Sequence, residues 1–280
     1  AGNIGTGTLL NKTTGTIGGA TGGLIEGNIV ATSPVWSNGE ASITLSTSTG
    51  LTIQYQVNGI DDGNWTTGTN VTGLNHNDTV YARLTDGTNY GDEASVSITD
   101  GSAPSAPTIS ISSGTSGNNS YYKSNVTVTI TAGSDGQSGA NQVRYSVSGA
   151  QTVNETTTAA GTTSASITIT AEGTSTITAY TIDKVGNVST EATQTINKDS
   201  TAPSTASLTV GTVGTTSIAV TARGADATSG IYSYQFQRST TSSTSGFTTV
   251  ATRTSTATSY SYTYTGLKDG TTYYLRVKVT

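Results

Sequence analysis

Asn125-Val-Thr-Val-Thr-Ile-Thr131 alternates apolar and polar residues without a break. Successive side chains of a β-strand point to opposite faces, so such a stretch has one apolar face and one hydroxyl-bearing face. The rhythm returns at Gln142–Ser148, Ala165–Thr170 and Ser175–Asp183. Turn residues separate these runs: Gly133–Gly136, Gly149, Glu172-Gly173 and Val185–Asn187. Several short strands at this spacing read as a sandwich or barrel. No window carries a useful apolar i, i+3, i+4 pattern, so the helix content is expected to be near zero.

Outward from that stretch, repeats divide the chain. Asp100-Gly-Ser-Ala-Pro104-Ser recurs as Asp199-Ser-Thr-Ala-Pro203-Ser, 99 residues later, about the length of one sandwich. Each copy lies between two alternating strands. Proline lacks an N–H and fixes φ, which suits a stiff linker or the start of an edge strand. Both copies therefore read as domain junctions. A second repeat joins the first and last segments. Gly73-Leu74 through Arg83-Leu84 aligns with Gly266-Leu267 through Arg276-Val277. In the later copy Tyr273, Leu275, Val277 and Val279 share one face, expected to be the core face. The chain thus reads as all-β: three tandem immunoglobulin/fibronectin III-like β-sandwiches, at 27–100, 101–199 and 200–280, after an extended arm or linker at 1–26. The first sandwich has expected strands near Ala41–Ser46, Thr52–Asn58, Thr79–Thr85 and Ala94–Thr99, with Trp36 or Trp65 at the centre of its core.

The 280 residues are 32% hydrophobic and only 10% charged, with no Cys or Met, and Thr, Ser, Gly and Asn make up the difference. Fourteen Tyr and many β-branched residues separate this composition from that of disordered chains. Disulfides are excluded, and a low-charge, Cys-free, Thr-rich chain fits a secreted or cell-surface bacterial protein. A net charge of −5 with scattered Lys and Arg argues against nucleic acid as a partner. No apolar run approaches the length of a membrane span in this segment.

Leu267-Lys-Asp-Gly270-Thr-Thr-Tyr273-Tyr-Leu275-Arg-Val277 resembles the turn and sixth strand of fibronectin type III domains. That resemblance implies that Tyr273 caps the corner between two strands. The first sandwich carries Val80 at that position. Tyr122–Ile130 and Thr178–Ser189 resemble the bacterial Ig-like repeats of large surface proteins. The resemblance implies stalks, adhesins or accessory modules of the extracellular bacterial cell surface. In the middle sandwich, strand Ser175–Asp183 is followed by a turn and a last strand, Ala192–Asn197. In the third, the corresponding strand ends at Thr280. Its last strand is expected either in a longer chain or from another subunit, by β-augmentation that would build a filament.

The search for chemistry returns little. His76 is the only histidine and sits in a turn, so neither a catalytic triad nor a zinc site is expected. The chain reads as no enzyme, with no catalytic residue and no cofactor. Calcium candidates are Asp61 and Asp62, in Asp-Asp-Gly-Asn, and Asp226, although these are also ordinary turn residues. Lys123 and Asn197, with Glu172 as an acid, have the order needed for an isopeptide crosslink. Tyr260, Tyr262 and Tyr264 fall on one face: a binding stripe if exposed, core if buried. The polar opposite face favours core. The expected function is structural, as a spacer, stalk or filament subunit. Its expected partners are neighbouring domains or copies of the same chain. The alternatives are an adhesin or carbohydrate/protein-binding module for a host protein or glycan, and accessory domains of a secreted hydrolase.

Overall fold

The computed structural model describes residues 9–10, 29–61 and 63–280. Every regular element among them is a β-strand, and every strand pairing is antiparallel. The first module comprises β1 (Leu9–Leu10), β2 (Ile29–Ala31), β3 (Val35–Ser37), β4 (Glu40–Thr47), β5 (Thr52–Val57), β6 (Thr66–Thr67), β7 (Asn70–Leu74), β8 (Thr79–Thr85) and β9 (Ala94–Ser97). One sheet runs β1-β2-β4-β3, with β7 on the other side of β4, and the second runs β6-β5-β8-β9. β2 and β3 lie end to end along the same side of β4, interrupted at Thr32–Pro34, where proline has no N–H to give the ladder. Of the expected arm, only Leu9 and Leu10 lie among the described residues, and they pair with Val30 and Ile29.

The second module comprises β10 (Thr108–Ser113), β11 (Val126–Thr131), β12 (Ala140–Gly149), β13 (Val153–Thr157), β14 (Ser164–Ile169), β15 (Gly173–Asp183) and β16 (Ala192–Lys198). Its sheets are β10-β11-β14 and β13-β12-β15-β16. The third comprises β17 (Ser204–Val213), β18 (Ile218–Ala225), β19 (Ser233–Ser239), β20 (Thr248–Thr254), β21 (Ser259–Tyr264) and β22 (Tyr274–Val279). Its sheets are β17-β18-β21 and β20-β19-β22, so among the described residues β22 is an edge strand, whereas β15 lies between β12 and β16.

Each pair of sheets encloses its own core, and the two-residue period decides which side chains enter it. On β11, Val126, Val128 and Ile130 are fully buried; they meet Val143, Ile169, Ile177, Ala179 and Ile196 from the other strands. The first core is likewise aliphatic, built on Ile43, Leu45, Val71, Leu74, Val80 and Ile98. Neither tryptophan holds its centre. Trp36 packs against its margin. Trp65 lies outside it, stacked on Arg83, whose Cζ is 4.0 Å from the ring centroid. The planar guanidinium takes the aromatic face, and small branched side chains already fill the narrow interior.

The third core is aromatic. Phe236 stacks on Tyr262 at 4.5 Å and meets Tyr264 edge-on at 6.3 Å. The buried hydroxyls keep partners: Tyr234 Oη donates to the Ala257 carbonyl at 2.7 Å, and Tyr264 Oη to the Gln237 carbonyl at 3.0 Å. Burial, with Tyr262 alongside, pushes the Tyr264 phenol up to about 12. Phe236→Ala would leave this cluster without its central ring and should destabilise the third module by about 3–5 kcal/mol. Calorimetry checks this: one unfolding transition moves down while those of the other modules stay in place.

Candidate functional site

The joints between modules gather more converging polar groups than any strand face. Each joint begins with an aspartate that ends one module. Asp100 Oδ1 accepts from Ser102 N in its own linker at 3.0 Å, and Asp100 Oδ2 accepts from Ser138 N of the next module at 2.9 Å. Asp199 repeats the arrangement, with Thr201 N at 2.9 Å and Ser229 N at 3.0 Å. The receiving loops are themselves alike. Gly133-Ser-Asp135-Gly-Gln-Ser138-Gly139 matches Gly224-Ala-Asp226-Ala-Thr-Ser229-Gly230. Asp135 Oδ2 accepts from Gly139 N, and Asp226 Oδ1 accepts from Thr228, Ser229 and Gly230 N. An aspartate at the head of a short loop folds the loop onto its carboxylate and aims the serine N–H outward.

Two further grips hold each linker. A loop of the preceding module supplies an acceptor: His76 Nδ1 takes the Asp100 N–H at 2.9 Å, and Glu172 Oε2 takes the Ser200 N–H at 2.9 Å. The first hairpin of each module also reaches forward. At the first joint this is the Asn38-Gly39 turn. A Cβ on Gly39 would lie 3.1 Å from the Ser138 carbonyl oxygen, and φ is +88°, so glycine serves both the turn and the close approach. At the second joint Tyr121 Oη donates to the Thr228 carbonyl at 3.0 Å and Asn119 Nδ2 to that of Ser229 at 3.3 Å. Asn187, held by Asp183, also donates to the carbonyls of Asp100 and Ser102.

Charge shapes both joints. Burial pushes the Asp100 carboxyl up, but hydrogen bonds from Ser138 and Ser102, and the His76 ring, leave it below the usual carboxylate range. Glu172 is lowered to about 2, first by the hydrogen bond from Lys198 and then by those from Ser200. Lys198 Nζ, itself buried, is 2.6 Å from Glu172 Oε1.

Among the described residues, Asp100, Asp135 and Asp183 form the group of three acids whose oxygens lie within 4.8 Å of one another. Such a set could supply three of the six to eight oxygens that calcium takes. Of the residues singled out from sequence, Asp226 lies at the second joint, as the cap of a receiving loop. Asp61 is an exposed turn residue that accepts from Gly63 N and Asn64 Nδ2. Asp62 lies outside the described residues. Tyr260, Tyr262 and Tyr264 face the third core, with Tyr264 fully buried. His76 grips a linker rather than standing free. Glu172 is engaged by Lys198 and Ser200, and Lys123 is exposed. Sequence reading passed over Asp135, Ser138, Asp183 and Ser229; the shared Gly-x-Asp-x-x-Ser-Gly spacing could have found the loops.

The class is a tandem array of β-sandwiches whose polar chemistry is concentrated between the modules. No family model matches the sequence, and no curated protein matches it. Two solved structures are similar in outline. One is the FN1–FN3 domains of chicken CNTN1, at 12% identity over 89% of this chain and 91% of that one, with a TM-score of 0.28. The other is a tetra-tandem repeat in the extending region of a large adhesion protein, at 17% identity over 86% and 70%, with a TM-score of 0.30. With overlays this loose, the fold is read from the sheets and cores themselves. Among the described residues no helix is long and apolar enough to cross a membrane.

Asp199→Ala frees the Thr201 N–H, leaves the Ser229 N–H on Asp226 alone, and should cost the second joint about 1–3 kcal/mol. Spin-label distances between the second and third modules should broaden, while those between the first and second keep their width. The Glu172 clamp has its own pH range. A carboxyl lowered on folding stabilises the native form above its ordinary value of 4.5, and that contribution is lost as pH falls toward 2. Above about pH 4.5 the native protein should therefore melt at a higher temperature than Glu172→Gln, and the two should converge as the pH falls toward 2. Melting curves across that range check it.

Proposed function

We propose that this chain is a stiff extracellular spacer, a stalk segment of a bacterial surface protein. The observation that carries the reading is the repeated joint. Two linkers that share the Asp-x-x-Ala-Pro-Ser pattern are held by the same bond from a serine N–H to the aspartate, by a forward-reaching hairpin and by an acceptor from the loop behind. A chain of independently tethered binding domains has no need of such holds, whereas a spacer works by keeping length and direction. Interdomain contacts are otherwise the softest part of a multidomain chain. The aromatic residues of β21, which would have served an adhesin as an exposed stripe, instead pack in the third core.

The finer reading is a filament assembled by strand donation. What favours it is that β22 lies at the edge of its sheet among the described residues. Unpaired N–H and C=O groups along such an edge accept an incoming strand.

Small-angle scattering and electron microscopy test both readings. A spacer should give an elongated envelope with one narrow distribution of module-to-module angles. A broad distribution, as for beads on a string, would remove the stiff-spacer reading. Regular fibres in native material support donation, and separate rods at every concentration exclude it.

A further inference from the structure

We infer that copies of this chain associate through opposite charge, the third module of one against the first module of another. Lys and Arg look scattered along the sequence, yet the modules differ in sign. Residues 27–100 hold one Arg against eight Asp and Glu; residues 101–199 hold four basic against six acidic; residues 200–280 hold six basic against two acidic. Net charge therefore runs −7, −2 and +4 from one end of the array to the other.

The fold leaves these charges where a partner can meet them. In the first module Glu40, Asp61, Asp86, Asp92 and Glu93 are exposed, the last three on the loop between β8 and β9. Its one arginine, Arg83, is buried between Trp65 and Tyr90 and donates to Gln54, so it offsets little of that outward field. In the third module Arg223, Arg253, Lys268, Arg276 and Lys278 are exposed. Arg276 and Lys278 stand opposite Gln237 and Gln235 on neighbouring β19 and so share one sheet face. Of its two acids, Asp226 is occupied in capping its own loop.

Within one chain the second module stands between the two poles, held by both joints, so the first and third modules cannot neutralise each other. In a second copy they can. A free polyanion fits less well, because the chain as a whole carries −5 and repels it. Charge complementarity of this kind speeds and orients encounter, and it weakens with salt, since the screening length falls from roughly 30 Å at 10 mM to 3 Å at 1 M.

Sedimentation equilibrium of the whole chain tests this. Wild-type average mass should rise with protein concentration at about 10 mM salt and return to the monomer value at about 1 M. Arg223→Glu with Lys278→Glu removes the positive sign of the third module. Lys123→Glu with Lys184→Glu makes the same change in total charge in the second module. The first pair should weaken association at least about tenfold and the second pair by much less. A melting midpoint close to wild type establishes that each variant is folded. Four results would overturn the inference: a wild-type monomer at low salt, equal loss in both variants, association that persists at 1 M salt, or capture of dextran sulfate by a chain that does not self-associate.

Discussion

A carboxylate buried at a module boundary must be hydrogen-bonded, or its desolvation would work against folding. At Asp100 and Asp199 the donors that meet this need come from two directions, one from the linker and one from the following module. Separating the modules would strip the acid of one donor, and at the first joint it would also leave the Ser138 N–H without its acceptor. The orientation of each module is thereby tied to the satisfaction of a single charged side chain. The other contacts of the joint lie around that bond, so they tighten an arrangement that the aspartate has already selected.

Within the modules the constraint is narrowness. Small sandwiches bury a limited fraction of their surface, and this chain has no disulfide to compensate. Two modules answer with close-packed aliphatic cores; the third uses Phe236 and tyrosines, of which Tyr234 and Tyr264 give their hydroxyls to backbone acceptors. The solvent faces are organised too. Arg83 Nε donates to Gln54 Oε1 beneath the Trp65 ring, and Arg276 Nε donates to Gln237 Oε1 with its guanidinium 4.0 Å from the Phe247 ring. These are the same cross-strand positions in the first and third modules. In the second, Arg144 lies on the partner strand and stacks on Tyr180 at 4.9 Å. Each module thus places an arginine of this strand pair over an aromatic ring.

The alternating stretches made the strands readable, because period 2 is a property of local sequence. Asn125–Thr131 and Ser175–Asp183 correspond closely to β11 and β15. Edge strands such as β3 and β13 went unread, since an exposed strand has no apolar alternation to display. Neither Trp36 nor Trp65 holds the expected centre of the first core, because aliphatic side chains already fill it and a neighbouring arginine offers Trp65 a better face. The joints were half legible. The repeated Asp-x-x-Ala-Pro marked where they fall, but not that Asp135, Asp183 and His76, distant in sequence, would converge on the first of them. That convergence depends on how whole modules stack, which no local pattern encodes.

The repeats also show which level of the structure the fold constrains. At the corner before β22, the Lys268 N–H donates to Tyr273 Oη at 3.0 Å, as the resemblance to fibronectin type III domains implied. The first module has Val80 in place of that tyrosine. Its corresponding N–H, on Asn75, is taken instead by Asp78 Oδ2 at 2.6 Å, and this bond, with one from Asn58, lowers the Asp78 carboxyl. The linker grips follow the same logic, an imidazole at one joint and a carboxylate at the other. What recurs is a backbone donor in a fixed place that needs an acceptor, and the residue that supplies it is free to change. Sequence identity between modules can therefore be low while their hydrogen-bond pattern is held, and the exposed side chains are left free to diverge in charge from one module to the next.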